Sequence, residues 1–422
     1  MTERTRPLLC FLVDAFRHDY LQEGATPFME KLASDGSVGR LPTILGYSDA
    51  IRATIFTGRY PDQLGYWMEY CFRPERTPFR PLDRLAALDR FPIDIVQRGA
   101  KFALSATVMR RLARSRGYQQ LGLRHIPFGA LRFFDYTLTA PMTDPGTLGE
   151  ATIFDRLSAA GMKWSYLDAS AMPPQRLVNS VKELPKDTAL VFVYLHQVDM
   201  ASHLFGLGSR RFERSLRTVD AMAAHVYGAV RSRLGEPAVM AFSDHGMSPT
   251  ERIVAIPELR RHPAFGSGFC FALDATMVRL WFLRDEPALR DELRSLVAAK
   301  LPGRFLSQRD RVALHVDFDH RLYGDDIFLT EPRTVIFPNF HSYVRPKAMH
   351  AYDPSDPDQD GILIASAGVL PGSEIPAMVD KVTDRDSCGK LRHAAYVIDV
   401  IMRDHQVIDL PYAGRARRYG AR

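Results

Sequence analysis

The apolar run Val239-Met240-Ala241-Phe242-Ser243 stops abruptly at Asp244-His245-Gly246. A buried parallel strand would deliver those two side chains at its C-terminal end, where open α/β sheets carry their ligand sites. Carboxylate oxygen and imidazole nitrogen are both ordinary zinc ligands. Alone, such a pair reads as well as a strand end with a capping Asp. The first apolar run, Pro7 to Val13, ends the same way at Asp14, which either caps the next turn or offers a hard anionic ligand. Beyond a third run, Ala189 to Leu195, Asp199 and His203 stand at i, i+4. On a helical turn that spacing puts both on one face, a workable metal pair, though a surface helix pair is the commoner meaning.

The elements that must position these groups are legible around them. Three continuous apolar runs are the pattern of parallel strands buried on both faces. Thr26-Pro27 reads as a helix start. From Ser48 the apolar spacing is helical, and Gly58 closes that run as a C-terminal cap. Ser48 thus sits at a helix N-terminus, where free N–H groups and the helix dipole favour an anion. A hydroxyl held there beside a metal can ionise and attack phosphorus. An N-capping role is the plainer reading of the same serine, and the two are compatible. Thr152 to Ala160, Ser209 to Val230 and Glu286 to Lys300 read as further helices. Trp164 to Leu167, Thr276 to Phe282, Val312 to Val316, Asp326 to Leu329 and Gly361 to Gly368 read as strands.

Asp14 at a strand end, Ser48 nine residues before Thr57-Gly58, Tyr60-Pro61-Asp62, Gly65, Asp199-x-x-x-His203-x-x-Gly206 and Asp244-His245-Gly246 together resemble the type I phosphodiesterase/nucleotide pyrophosphatase family. That family belongs to the alkaline phosphatase superfamily. The resemblance covers most of the chain outside roughly 72–150. It implies an α/β fold: an alkaline-phosphatase-like sandwich of a mostly parallel sheet between helices, with a small α+β cap and a helical insertion. The expected division is a catalytic core from 1–250 and 341–422, a basic helical insertion at 72–150 within it, and a cap at 251–340.

The resemblance also implies roles. Ser48 takes the position of the family's nucleophilic Thr. Thr43 is a rival hydroxyl at the wrong spacing. His350, in Met349-His350-Ala351-Tyr352-Asp353-Pro354, matches the family's last ligand, with His341 as a nearby rival. Asp14, Ser48, Asp244 and His245 would hold one metal, and Asp199, His203 and His350 the other. Two ions so placed clamp the attacking and leaving oxygens of an in-line displacement. Three His in a mixed nitrogen/oxygen set suit zinc better than magnesium. His196 matches no ligand position and is a candidate substrate contact. One departure stands out: the family's phosphoryl-binding Asn is here Glu69. A carboxylate cannot donate a hydrogen bond to an anion unless it is protonated, so either the phosphoryl group is bound differently here or Glu69 reads an amine or hydroxyl on the substrate.

The expected activity is metal-dependent phosphodiester hydrolysis. The alternatives are a phosphonate hydrolase, a phosphomonoesterase, a headgroup phosphotransferase, or a metal-binding relative without catalysis. The chain has 422 residues, 46% hydrophobic and 25% charged, which is ordinary globular composition. Its net charge of +6 is too small for a nucleic-acid coat, so the expected partner is a small-molecule or lipid-linked phosphate ester. Between Asp94 and Asp135 there is no acidic residue, while Arg98 to Arg132 mixes basic and apolar ones. Such a stretch either lies on an anionic membrane surface, giving peripheral association, or is a helical cover with a solvated basic face. The four cysteines show no metal spacing and no disulfide framework. The first strand starts by Leu8 without a signal-like segment. No run reaches the ~18 apolar residues of a membrane helix. The default expectation is a soluble, cytoplasmic protein.

Overall fold

The computed structural model describes residues 6–21, 24–90, 126–170, 172–342 and 344–367. Six strands form the central sheet: β1 (Leu8–Val13), β2 (Ser37–Leu41), β3 (Lys163–Asp168), β4 (Thr188–Leu195), β5 (Ala238–Phe242) and β6 (Gly361–Ala365). Their spatial order is β2-β6-β5-β1-β4-β3. β1 pairs in parallel with both β4 and β5, and β3 pairs in parallel with β4. Only β6 runs antiparallel to its neighbours, β5 and β2.

β1 is wholly buried because helices cover both faces of the sheet. Leu8, Cys10 and Leu12 pack with Ile51, Ile55 and Phe56 of the Ser48–Thr57 helix and with Phe154 and Leu157 of the Ile153–Ala159 helix. Leu9, Phe11 and Val13 point the other way, onto Leu216, Val219 and Val226 of the Arg210–Leu234 helix and Leu177 of the Pro174–Glu183 helix. The period-2 alternation of a strand therefore feeds two cores. Burying each such side chain is worth about 1.5–3 kcal/mol, which gives the strand ends a fixed frame.

A second, antiparallel sheet is built from Phe269–Leu273, Met277–Phe282, Asp326–Thr330 and Gly303–Phe305, with the Pro287–Lys300 helix against it. The stretch expected as a strand at 312–316 is instead the end of a helix, Gln308–Ala313. Ser307 and Asp310 form a capping box at its start, and this local start signal overrides the β-branched appearance of Val312 and Val316. Tyr70–Phe72 pairs with Phe134–Tyr136, and this ladder shares one hydrophobic cluster with the second sheet.

Most of the basic stretch 98–132 lies outside the described residues. At its described end, Ile126, Phe128 and Leu131 are core residues of that shared cluster, and Arg132 is paired with Asp83 at 2.9 Å. There the apolar pattern comes from packing. Residues 368–422 of the expected core segment, with Cys388 among them, also lie outside the described residues. Among the described residues no helix is long and apolar enough to cross a membrane.

Candidate metal centre

Three neighbouring parallel strands, β5, β1 and β4, end on the same edge of the sheet, and each is followed by expected ligands. The Asp14 N–H bonds to Leu195 O at 2.9 Å, extending the β1–β4 ladder by one residue. β5 leads through Ser243 into Asp244 and His245, all buried. β4 leads into the helix Gln197–Phe205, which carries Asp199 and His203. His350 follows the two-residue strand Ala348–Met349, which pairs with Ser248–Pro249 just past His245. The ring of His350 stacks on that of His245, with centroids 3.6 Å apart and planes within 9°.

The turns that carry these groups are tight. Ala15 and Ala351, each directly after an expected ligand, have φ of 59° and 66°, a region that costs a non-glycine residue ~1–2 kcal/mol. Gly246 approaches another loop so closely that a Cβ would lie 2.2 Å from Asp358 O.

The donor atoms fit a cation. The Nδ1 of His203 donates to Ala348 O at 2.8 Å, so its Nε2 presents a lone pair. That lone pair faces Asp199 Oδ1 at 3.1 Å. Two lone pairs at this separation repel unless a proton or a cation lies between them. His245 repeats the arrangement. Its Nδ1 lies 2.8 Å from Gly246 O, and its Nε2 faces Asp14 Oδ1 at 3.1 Å and Ser48 Oγ at 3.0 Å. Asp14 Oδ1, Asp199 Oδ1, Asp244 Oδ2 and His350 Nδ1 are buried without a hydrogen-bond partner, and buried polar atoms are rarely left so.

The electrostatics agree. Burial, reinforced by the charge of Asp14, pushes the Asp244 carboxyl up to about 7. Burial works against a charged His245, yet Asp244 and Asp14 outweigh it and raise that imidazole to about 10. His203 is likewise raised, with Asp199 overcoming the effect of burial. His350 is pushed down by burial and by the neighbouring His245 and His203. The cluster calls for positive charge at its centre.

Among the described residues, two groups have donor atoms within 4.8 Å of one another: Asp199, His203 and His350, and Asp14, Asp199 and His245. Asp199 belongs to both. The resemblance gave it to one ion only, and its i, i+4 spacing with His203 does not show what lies opposite. Asp244 stands beside these groups, with Oδ2 3.7 Å from His245 Nε2.

Ser48 is the first residue of its helix, after an extended Tyr47. Thr43 is occupied elsewhere, donating to Asp244 O at 2.8 Å, and so steadies the turn that carries Asp244. His341 is bound to Asp274 at 2.9 Å. His196 precedes the Gln197–Phe205 helix beside the ring of Tyr194, with Nδ1 buried and unpartnered. Glu69 is half-buried, and its carbonyl accepts from Thr137 N. Its charge acts on the buried phenol of Tyr66, as do those of Asp49 and Arg52, which places it near the start of the Ser48 helix.

Sequence reasoning missed two supports. The hydroxyl of Tyr194 donates to Asp14 Oδ2. Arg52, one turn beyond Ser48, is paired with Asp49 and lies 4.6 Å over the Tyr194 ring. Burial works to raise the Asp14 carboxyl, but His245, Tyr194 and Arg52 together hold it below its ordinary value. The register Leu12↔Tyr194 that brings the first beside Asp14 is not written in the sequence, while the i+4 spacing from Ser48 was an available signal for the second.

The model of the type I phosphodiesterase/nucleotide pyrophosphatase family matches residues 8–317. No curated protein sequence matches closely enough to count as a relative. Among solved structures, human ectonucleotide pyrophosphatase/phosphodiesterase 5 is similar, with TM-score 0.63 and 13% identity, over 97% of each chain. The murine counterpart, as an inactive variant in complex with AMP, gives TM-score 0.61 and 14% identity, again over 97% of each chain. At such identities the likeness is one of fold.

Proposed function

The chain belongs to the type I phosphodiesterase/nucleotide pyrophosphatase family, hydrolases of phosphoric ester bonds, and from that premise we propose that it cleaves phosphodiesters with Ser48 as nucleophile and two divalent metal ions. The observation that carries this reading is the position of Ser48 Oγ, 3.0 Å from His245 Nε2 at the edge of a cluster of converging carboxylates and imidazoles. Asp14, Ser48, Asp244 and His245 would hold one ion. His203 and His350 would hold the other, with Asp199 reaching both. Bound there, the ions supply Lewis acidity and lower the pKa of a nearby hydroxyl. The mixed nitrogen and oxygen donors match zinc.

The chain's own part follows from its geometry. Ser48 gives up its proton and its oxygen bonds to phosphorus, while the bond from phosphorus to the leaving oxygen breaks. Water then adds to phosphorus, the Ser48 oxygen departs, and it recovers a proton. The first N–H groups of the Ser48–Thr57 helix favour the phosphoryl anion. Tyr194 and Arg52 keep Asp14 ionised and in place. A negative Glu69 near the Ser48 turn repels a monoester dianion more than a diester monoanion, which supports the diester over the monoester. The same carboxylate accepts hydrogen bonds from a hydroxyl on the esterified group.

The test is metal analysis together with turnover of model diesters and monoesters. We expect about two transition-metal ions per chain, loss of activity in chelator, no turnover by Ser48→Ala with metal retained, and partial turnover by Ser48→Thr. Full activity in chelator sinks the metal mechanism. An inactive Thr43→Ala beside an active Ser48→Ala sinks the assignment of the nucleophile. A preference for monoesters sinks the diester reading.

A further inference from the structure

A buried charged unit stands beside the metal cluster without belonging to it. Asp274 follows the cap strand Phe269–Leu273, and its side chain is completely buried. It accepts Arg279 Nε at 2.7 Å and Nη2 at 3.2 Å, the Tyr70 hydroxyl at 2.7 Å and His341 Nε2 at 2.9 Å. Arg279 is itself fully buried and lies over the rings of Tyr70 and Trp281. Such a pair is costly to bury, and a well-packed apolar replacement is often no less stable. Its geometry suits holding His341.

His341 sits between two aromatic rings, 5.1 Å from Tyr47 and 5.4 Å from Tyr70. Tyr47 precedes Ser48 and also packs edge-on against His350 at 5.5 Å. One ring therefore separates His341 from the metal cluster. Asp274, paired with Arg279, is an ionised acceptor, so the hydrogen of a neutral His341 is on Nε2. Its Nδ1 then presents a lone pair. Among the described residues none hydrogen-bonds Nδ1, and the side chain is 24% exposed.

We propose that His341 is a specificity-determining residue, whose Nδ1 accepts a hydrogen bond from a hydroxyl on the esterified group of the substrate, with Asp274 and Tyr70 as its positioning residues. This rests on the diesterase reading and adds the chemical class of the substrate, an ester of a polyol. A site built to bond a hydroxyl discriminates strongly against the analogue lacking it.

The experiment compares two diesters with the same leaving group, p-nitrophenyl phosphoglycerol and p-nitrophenyl propyl phosphate, on the metal-loaded full chain. Wild type should favour the glycerol ester by about tenfold or more in kcat/KM. His341→Gln keeps an amide for Asp274 but places nothing at Nδ1. It should bring that ratio to near 1, with metal content, Tm and turnover of the propyl ester within about twofold of wild type. His341→Asn, which puts an amide atom near Nδ1, should restore part of the preference. A wild-type ratio near 1, or an unchanged ratio in His341→Gln, overturns the proposal. Equal loss on both esters with lowered metal content shows a structural role and overturns it too. Turnover of neither diester by wild type overturns the diesterase reading itself, a result distinct from the others.

Discussion

Asp199 is the residue through which the two halves of the cluster are expected to fail together. It belongs to both groups of donor atoms, and its Oδ1 lies 3.1 Å from His203 Nε2 and 3.8 Å from His350 Nε2. Asp199→Asn keeps the size and one oxygen but removes the charge. At an effective dielectric of about 20, unit charges ~4 Å apart interact by about 4 kcal/mol, and a divalent ion doubles that to about 8. Most of this gross value cancels. The carboxylate and ion both lose hydration on meeting, and removing one carboxylate relieves repulsion from Asp14 and Asp244. A net loss of about 1.4–2.8 kcal/mol per ion remains a reasonable scale, equal to roughly tenfold to hundredfold in Kd. The assay is competition titration with a chromophoric chelator, which resolves each binding step, alongside elemental analysis after dialysis. Asp199→Asn should weaken both steps, while His203→Ala should weaken one. An Asp199→Asn protein that keeps one ion at wild-type affinity would refute the shared role and restore the division into two separate ligand sets.

Two glycines separate close approach from helix propensity. Gly246→Ala would force a Cβ to within 2.2 Å of Asp358 O and should lower both Tm and metal retention. Gly228→Ala, inside the Arg210–Leu234 helix with nothing within 4 Å, should stabilise by about 1 kcal/mol in urea titration. Breaking the buried pair with Arg279→Met should cost about 3–5 kcal/mol. Burial works to raise the Asp274 carboxyl, but Arg279 and His341 hold it well below the usual carboxylate range. A folded-state value below the unfolded one means stability that is full above about pH 4 and is lost as pH falls through the folded value. Acid unfolding followed by circular dichroism should therefore begin at higher pH in Arg279→Met than in wild type, and identical acid transitions would count against the pair's role.

The parts legible in the sequence were those set by local pattern. β1, β4 and β5 are continuous apolar runs because both faces are buried, and that pattern names the strand and its end together. The helix at Ser48 was bounded by spacing and by Gly58, whose φ of 72° is a left-handed cap. Val312 to Val316 misled because β-branched content was weighed above the Ser307-x-x-Asp310 start signal. Long-range relations left weaker marks. The i, i+4 pair Asp199 and His203 gave no hint that Asp14 and His245 close on Asp199 from another strand. Arg279 did leave a signal: a charged residue inside the apolar run Met277–Phe282 needs a buried partner. Nothing in the sequence shows that this partner would be Asp274, five residues earlier across a hairpin.

That hairpin also reaches the residues that flank Ser48 and His350. Thr276, two residues after Asp274, is bonded through its hydroxyl to Ala351 O at 2.8 Å and lies 3.1 Å from the Tyr47 hydroxyl. Its backbone N–H bonds to the same Tyr47 oxygen. Tyr47 precedes Ser48, and Ala351 follows His350 in a left-handed conformation. One turn of the second sheet therefore fixes the residue before Ser48 and the residue after His350. The bond to Ala351 O is buried and those to Tyr47 are partly so, and buried hydrogen bonds are costly to leave unmade. Joined in this way, the turn after Phe269–Leu273 helps set where Ser48 and His350 stand, and through Asp274 it also holds His341. On the reading proposed above, substrate choice in this chain would be set by this turn and His341, with the expected metal ligands left in place.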